Sequence, residues 1–336
     1  MGSAQAFVNQ IPILERSTVS EYVVRRGVLA ADAPVEVEVL LGGVSSSVFS
    51  VRQGDLSLVV KQALPKLRVN DDWFADPGRS LIEAEALELA SRVCPGSAPV
   101  VVDVDAEMFA LVISHASADC VNWKDELLGG VTRADTGQRL GEFLAQWHCA
   151  EAFVPSTSRM RDQANFIDLR VSPYYWEVAK HNSSLSRITA GAVRRMLDTR
   201  HSVVHGDFSP KNILVGNSGP FILDFEVAHI GDPAFDVAFL LHHLILKSVA
   251  RQQSSDDFLR VAQRFQASYV EQGSASVFDD PQYLFTHIAL LALARVDGKS
   301  RVEYLDSSQS DLVRAVAVAI ALEPPPTLEE VWQLFD

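Results

Sequence analysis

Few features of secreted or membrane-spanning proteins occur in this sequence. It has only three cysteines, Cys94, Cys120 and Cys149, an odd number without the spacing of a metal site. Because each lies in or beside an apolar stretch, we expect buried thiols and a reducing compartment. The longest apolar runs, residues 234–246 and 288–296, are shorter than a bilayer span. Since the N-terminus also lacks the pattern of a secretory signal, we predict a cytoplasmic protein without membrane contact.

Basic side chains are also scarce. The chain has 29 lysines and arginines against 43 aspartates and glutamates, a formal net charge of −14 at pH 7. Such a surface repels phosphate backbones, and no local basic run offsets it, so we predict no nucleic-acid partner. The hydrophobic fraction of 48% and the charged fraction of 21% are those of an ordinary globular enzyme.

The two parts of the chain differ in their hydrophobic patterns. Before residue 115 a helix is predicted at 17–30 and another at 80–92, and strand-like runs lie at 35–41, 46–52, 56–62, 98–105 and 108–114. Later segments have helical spacing at 135–150, 257–272, 281–296, 309–322 and 327–335, with strand-like pieces only at 213–215 and 221–223. This pattern predicts an α+β fold with a small antiparallel β N-lobe, residues 1–115, and a larger helical C-lobe, residues 116–336. We expect ligands to bind in a cleft between the lobes.

The strongest chemical signal is HGDFSPKN at residues 205–212, followed by ILDFE at 222–226. Phosphoryl transfer needs a carboxylate that accepts the proton of the acceptor hydroxyl, and oxygen ligands that hold Mg²⁺ against the nucleotide phosphates. Asp207 and Asn212 have the spacing of the base and the metal-binding Asn in protein-kinase catalytic loops. Asp224 follows a short strand, where the second metal-binding carboxylate is expected. Together these residues predict a kinase-type site.

Three segments resemble the aminoglycoside phosphotransferase and choline kinase-like family: VVHGDFSPKNILV, ILDFEVAHIGDPAFDVA and LGEFLAQWH. The resemblance implies a two-lobed protein-kinase-like fold and a small-molecule kinase. It implies that Asp207 is the base, that Asn212 and Asp224 bind magnesium and that His205 braces the loop. Asp236 would then hydrogen-bond the backbone of the catalytic loop rather than touch the substrate.

The N-lobe should supply a cation for the nucleotide phosphates. Lys61 ends a predicted strand, as expected of a lysine that reaches the α- and β-phosphates. Its partner on the next helix would be Glu83 or Glu85, with Glu83 as the first choice. Lys66 is the alternative cation, but it follows a proline in a loop.

A nucleotide also needs a cover and an adenine contact. The residues expected to place backbone amides and hydroxyls over the phosphates are Gly43, Ser45, Ser46 and Ser47, which lie between two predicted strands. Without Lys61 nearby in sequence, this segment would be read as an ordinary hairpin. We expect the adenine to hydrogen-bond the backbone between Ile113 and His115.

The acceptor should be selected by the helical lobe. A polar turn contributes Arg295, Asp297 and Lys299, which would bind a polyhydroxylated or amino sugar, or else form a solvated helix end. The aromatic cluster Tyr174, Tyr175 and Trp176 would line the acceptor pocket or pack the lobe.

We therefore predict an enzyme that uses ATP, or GTP, with Mg²⁺ to phosphorylate a hydroxyl of a small molecule. An aminoglycoside-type antibiotic, an amino sugar or another sugar is the expected acceptor. Residues 59–73 also resemble methylthioribose kinases, so methylthioribose or a choline-like alcohol is the alternative. A silent nucleotide-binding protein or a protein kinase is the rival interpretation. The protein would act as a monomer or a homodimer.

A protein kinase fits less well for two reasons. Gly206 and Glu226 replace the Arg and Gly of the corresponding protein-kinase motifs. Only about ten residues separate Asp224 from the next helix, too few for a peptide-docking activation segment.

Overall fold

A computed structural model describes residues 11–40, 43–68, 73–273 and 275–336. The chain forms two compact units. The first unit contains Met1–Ala118 with Phe225–Val227, and the second contains Asp119–Asp224 and Ala228–Asp336. The roles assigned to the predicted lobes stay predictions.

The first unit is built on a five-stranded antiparallel sheet. Its strands are β1 (Glu36–Val39), β2 (Ser46–Gln53), β3 (Leu56–Ala63), β4 (Val101–Asp105) and β5 (Ala110–Ser114), in the order β1-β2-β3-β5-β4. All five predicted strands are present. Alternating apolar residues mark several of them, and a short continuous apolar run marks β5. Gly42 of the predicted turn and Leu41 of the first predicted strand lie outside the described residues.

Two helices complete the first unit. Helix α1 (Val19–Arg25) packs Val19, Tyr22 and Val23 onto the buried face of the sheet. It is shorter than the predicted 17–30, since Gly27 adopts φ +72, where the chain leaves the helix. Thr18 precedes the helix without a side-chain capping bond. Helix α2 (Arg79–Val93) matches the prediction closely.

The second unit is mainly helical. Its principal elements are α3 (Trp123–Leu128), α4 (Ala134–His148), α5 (Ala164–Phe166), a π-helix (Ile167–Trp176), α6 (Glu177–His181), α7 (Ser186–Asp198), α8 (Ala234–Ala250), α9 (Ser255–Glu271), α10 (Pro281–Asp297), α11 (Ser307–Leu322) and α12 (Leu328–Gln333). The five predicted helices correspond to α4 and α9–α12. Helix α8 is the helix expected about ten residues after Asp224. The remaining helical elements were not predicted as helices.

The second unit also contains more strands than predicted. Besides β8 (Ile213–Gly216) and β9 (Gly219–Ile222), the structure has β6 (Val121–Asn122), β7 (Ser202–Val204) and β10 (His229–Gly231). The prediction of only two strands was wrong, because a strand of two or three residues is too short for an alternation signal. β7 pairs with β10, and β8 lies between β6 and β9.

Helices α4 and α9 pack with their backbones unusually close. Gly137 and Gly141 lie one turn apart on α4 and face α9. A β-carbon on Gly137 would collide with the carbonyl oxygen of Val261, and one on Gly141 with the carbonyl oxygen of Phe265. These two glycines therefore set the separation of the helices.

We expect Gly141→Ala to destabilise the protein by about 2–3 kcal/mol, because the methyl group forces two packed backbones apart. Gly191→Ala on α7 is the matched control. The new β-carbon of this control variant has no atom within 4 Å. The higher helix propensity of alanine should therefore stabilise the protein by about 0.5–1 kcal/mol. Urea denaturation of both variants measures the difference, and equal effects would contradict the packing argument.

Neither the helices nor the cysteines favour a membrane or a disulfide framework. Within the described ranges, every helix is too short or too polar to cross a bilayer. The three cysteines are thiols, all within the described ranges. Cys94 is buried as predicted, but Cys120 is half-buried and Cys149 is exposed. The prediction of three buried thiols was therefore wrong for Cys149, which directly follows α4.

Candidate active site

The predicted catalytic loop connects β7 to β8 in the second unit. His205 is buried, and its Nδ1 accepts a hydrogen bond from the Asp207 amide at 3.1 Å. Its Nε2 therefore carries the proton and donates to the Leu223 carbonyl at 3.2 Å. Burial lowers the pKa of His205 although carboxylates surround it. A neutral His205 thus connects the loop to the chain segment that leads to Asp224, the bracing contact expected of it.

Asp207 lies at the centre of a group of hydrogen-bond donors. Its Oδ2 is 2.9 Å from Arg170 Nη2, 2.9 Å from Lys211 Nζ and 2.8 Å from Asn212 Nδ2. The side chain of Asp207 is almost fully buried. Charge-assisted contacts of this length fix the orientation of a carboxylate.

The two predicted metal ligands, Asn212 and Asp224, both lie in the second unit. The side-chain nitrogen Nδ2 of Asn212 donates to the backbone carbonyl of Asp207 at 3.0 Å and to its carboxylate at 2.8 Å. Asp224 adopts φ +69, a left-handed conformation that is uncommon for a residue other than glycine. Strained backbone of this kind is concentrated at functional sites.

Asp236, the first acidic residue of α8, holds the backbone of the loop. Its two carboxylate oxygens accept from the amides of His205 at 2.6 Å and Gly206 at 2.9 Å. It also contacts His148 Nε2 at 3.2 Å, and His148 Nδ1 lies 2.7 Å from the Tyr269 hydroxyl. Burial alone would raise the pKa of Asp236, but the contacts with His148 and His205 lower it. The hydrogen bonds expected of Asp236 are thus present.

In the first unit Lys61 on β3 pairs with Glu83 on α2. Lys61 Nζ lies 2.8 Å from Glu83 Oε2 and 4.0 Å from Glu226 Oε2. Glu226 is in turn 3.1 Å from Nε of Arg79, which is fully buried. The pairing with Glu83 rather than Glu85 agrees with the first choice made from the sequence.

The segment predicted to cover the phosphates is held by its own unit. The carbonyl of Ser45 accepts from Arg79 and from the Leu64 amide. The hydroxyl of Ser47 accepts from Arg68 at 2.7 Å, and the hydroxyl of Ser46 is buried with no partner among the described residues. Gly43 is exposed. The Ser47 hydroxyl and the Ser45 carbonyl are therefore already engaged, and contact of this segment with the phosphates stays a prediction.

The residues expected near the adenine lie at the end of β5. Ile113 is buried inside the sheet, opposite Val59 on β3 and Val101 on β4. The amide of His115 is 3.4 Å from the Ser57 carbonyl, and its ring Nδ1 is 2.8 Å from the Ala116 carbonyl. Contact between adenine and this backbone stays a prediction.

The five predicted acceptor residues have different surroundings. Arg295 Nη1 donates to the Tyr174 hydroxyl at 3.2 Å and to Ser300 at 2.6 Å. Asp297 is paired with Arg314, and Lys299 is exposed. Tyr175 is fully buried with its hydroxyl 2.6 Å from His287 Nδ1, so it packs the second unit, and Trp176 is largely exposed.

Sequence reasoning missed two residues that contact Asp207, Lys211 and Arg170. Lys211 lies within the quoted motif but was given no role. Arg170 and Tyr174 lie on the π-helix, where Arg170 Nε also donates to the Gly206 carbonyl at 2.7 Å. Burial alone would raise the pKa of Tyr174, but the net effect of the surrounding charges, chiefly Arg295 and Arg170, lowers it. The surroundings of Asp207 are therefore rich in positive charge.

Known proteins share both the sequence pattern and the fold. The sequence model of the phosphotransferase enzyme family matches residues 36–271. A methylthioribose kinase from Cronobacter sakazakii is 24% identical over 303 residues, which covers 76% of each chain.

Solved structures are similar over nearly the whole chain. An amicoumacin kinase in complex with AMP-PNP and Ca²⁺ covers 96% of this chain and 100% of its own, with a TM-score of 0.57 and 14% identity. A choline/ethanolamine kinase family protein from Mesorhizobium loti covers 95% and 99%, with a TM-score of 0.52 and 18% identity. These likenesses confirm the predicted α+β, kinase-like fold. The chain belongs to the phosphotransferase enzyme family.

Proposed function

We propose that this small-molecule kinase transfers the γ-phosphoryl group of ATP, with Mg²⁺, to a hydroxyl group of a sugar-like acceptor. The arrangement around Asp207 carries the proposal. A buried carboxylate that is fixed by three donors is suited to orient an acceptor hydroxyl and to take its proton. Phosphoryl transfer depends mainly on such positioning and on charge neutralisation.

The donor atoms in the second unit fit a magnesium ion. Because the amide nitrogen of Asn212 faces Asp207, its amide oxygen is the atom offered to a metal. The carboxylate of Asp224 supplies a second hard oxygen, the kind of ligand that Mg²⁺ prefers. The ion would neutralise charge on the phosphates.

The first unit would bind the nucleotide. Lys61, oriented by Glu83, is proposed to contact the α- and β-phosphates, as in other kinases. Backbone groups of residues 43–47 would cover them, and the backbone between Ile113 and His115 would contact adenine. GTP would satisfy the same phosphate contacts. The proposed setting is the cytoplasm.

The charges near Asp207 bear on the acceptor. Arg170 and Lys211 touch its carboxylate, and Arg295 lies beside Tyr174. A polycationic aminoglycoside or a choline-like alcohol would be repelled by these cations. Of the acceptors expected from the sequence, a sugar without an amine therefore fits best. The similarity to a methylthioribose kinase agrees with this choice.

A silent nucleotide-binding protein is the alternative. Such a protein would be expected to lack the base, a metal ligand or the phosphate-binding lysine. Asp207, Asn212, Asp224 and Lys61 are all present. The decisive test is ADP release by the purified protein with ATP and Mg²⁺ across neutral, cationic and anionic sugars. No ADP release with any acceptor, together with tight AMP-PNP binding, would favour the silent protein.

We expect Asp224→Ala to raise the Mg²⁺ concentration required for half-maximal AMP-PNP binding by at least about tenfold, because a hard-oxygen ligand is lost. Isothermal titration of the protein with AMP-PNP at several Mg²⁺ concentrations measures the change. Asp279→Ala, which removes an exposed carboxylate outside the site, is the control. Identical Mg²⁺ dependence in both variants would contradict the role of Asp224.

A further inference from the structure

A cluster of buried and half-buried polar side chains lies in the second unit beside the residues that surround Asp207. We call it the α8 cluster. It consists of His242, His243 and Lys247 on α8, Arg295 on α10, and Tyr304 between α10 and α11. The proposed reaction, as described so far, uses none of these residues except Arg295.

Lys247 is the most unusual member of the cluster. It is 1% exposed, and its Nζ lies 5.1 Å from the centre of the Tyr304 ring and 3.5 Å from the His243 carbonyl. It forms no ion pair with any carboxylate of the described residues, and the charges that act on it, Arg295 and Lys124, are both positive. Buried lysines are normally paired with an acid. Lys247 lacks such a partner among the described residues.

Several other polar atoms of the cluster have no hydrogen-bond partner in the part of the chain that the structure describes. They are His242 Nε2, His243 Nδ1, Arg295 Nε and Tyr304 Oη. His242 Nδ1 is 3.1 Å from the Ala238 carbonyl and must donate to it, which leaves Nε2 as an acceptor in the neutral ring. Buried polar atoms are rarely left unpaired, because each costs about 1–3 kcal/mol. The set offers mostly donors to a ligand, with one acceptor.

The cluster is connected to the base through hydrogen bonds, an ion pair and neighbouring charges. Arg295 donates to the hydroxyl of Tyr174, which lies one turn along the π-helix from Arg170, and Arg170 touches Asp207. Lys211, which also touches Asp207, is close enough to His243 to act on its charge. Four cations thus extend from the base into the cluster: Arg170, Lys211, Arg295 and Lys247.

We propose that the acceptor carries an anionic group, a carboxylate or a phosphate, which binds Arg295 and Lys247 while its reacting hydroxyl binds Asp207. This inference rests on the proposed kinase function and specifies its substrate class. The anion neutralises Lys247, and Tyr304 and Arg295 donate to its oxygens. A further hydroxyl of the acceptor donates to His242 Nε2. A hydroxy acid or a phosphorylated sugar has this combination of groups.

The net charge of the chain and the charges around Asp207 have opposite signs. The whole chain carries a net charge of −14, which by itself suggests a cationic ligand. The charges that contact Asp207 and fill the α8 cluster are positive instead. A cationic acceptor would place one more positive charge beside these four cations, of which Arg170 and Lys211 contact the carboxylate of Asp207.

The test is calorimetric binding to protein that is saturated with AMP-PNP and Mg²⁺, so that nucleotide phosphate sites are filled. The probes are inorganic phosphate and four hexoses that share one ring: glucose, glucosamine, glucuronate and glucose 6-phosphate. We expect inorganic phosphate and at least one anionic hexose to bind ten times more tightly than glucose. Glucuronate and glucose 6-phosphate distinguish a carboxylate from a phosphate. In Lys247→Met we expect the preference for the anionic hexose over glucose to fall at least tenfold. Lys180→Met, which changes an exposed lysine, should retain this preference.

Each result decides one of the two proposals. Absence of anion binding, a preference for glucosamine, or an unchanged preference in Lys247→Met would overturn the anionic acceptor. Phosphorylation of neutral or cationic sugars alone would also overturn it, but would leave the kinase intact. Failure to bind AMP-PNP with Mg²⁺ would instead remove the proposed function. Misfolding of Lys247→Met would show as loss of AMP-PNP binding, in which case Arg295→Met replaces it.

Discussion

Asp207→Asn is expected to reduce turnover by about 10³-fold or more, since an amide cannot accept the proton of the acceptor hydroxyl and general-base catalysis contributes about 10²–10⁴. Affinity for AMP-PNP should change by less than about threefold, because the proposed phosphate contacts are made by other residues. ADP release with a saturating acceptor measures the first quantity, and calorimetry measures the second. The pair of results separates a base from a residue that merely holds the nucleotide.

The control for this variant must address stability. Asp207 neutralises Arg170 and Lys211, and removal of one partner from a buried ion pair commonly destabilises a protein by about 3–5 kcal/mol. The melting temperature should therefore be measured alongside turnover. Arg170→Met retains the carboxylate but removes one of its donors, so we expect it to lose stability while it keeps measurable turnover. Near-normal turnover in Asp207→Asn would refute the assignment of the base.

Lys247→Met is expected to be more stable than the natural protein at neutral pH, although it removes a side chain from the core. Burial, reinforced by Arg295 and Lys124, lowers the pKa of Lys247 from 10.5 to about 7. At pH 7 the unfolded state therefore holds a proton that the folded state holds only in part. A change of one pKa unit corresponds to about 1.4 kcal/mol. Because the substitution removes this cost, it should raise the free energy of unfolding by roughly 2–5 kcal/mol.

The stability difference between the natural protein and Lys247→Met should depend on pH, because the pKa of Lys247 is lower in the folded state. For a base whose pKa is lower in the folded state, stability rises with pH wherever the unfolded state binds more protons. The natural protein should thus gain stability relative to Lys247→Met between about pH 7 and pH 10.5. The advantage of the variant should be largest below pH 7 and vanish above pH 10.5. Urea denaturation across this range measures it, with Lys180→Met as the control. A difference independent of pH would show that Lys247 keeps an ordinary pKa.

Much of the first unit could be predicted because its signals are local. Strands β2 and β3 alternate buried and less buried residues along much of their length, and β5 is a short apolar run. Helix α2 spaces its apolar residues as a helix. The ends of elements were less predictable. Helix α1 stops at Arg25, because Gly27 adopts positive φ, a property that the predicted helical pattern of 17–30 does not show.

Some residues of the candidate site could likewise be predicted from the sequence, and others could not. Asp207, Asn212 and Asp224 could be selected because their spacing is fixed by a short loop and two neighbouring strands. Arg170 could not, since it comes from a π-helix 37 residues before Asp207 and no motif connects the two. Lys247 directly follows the apolar run 234–246, and its single charge gives no sign of which residues it will face.

The close contact of α4 with α9 has a consequence for the temperature dependence of activity. His148 at the end of α4 and Tyr269 on α9 hydrogen-bond each other, and His148 also contacts the carboxylate that holds the loop amides. A small separation of the two helices would therefore shift the catalytic loop before the protein unfolds. Substitutions at Gly137 or Gly141 should yield enzymes that work when cold and lose turnover well below their melting temperature. Conditional alleles would thus arise far along the chain from Asp207.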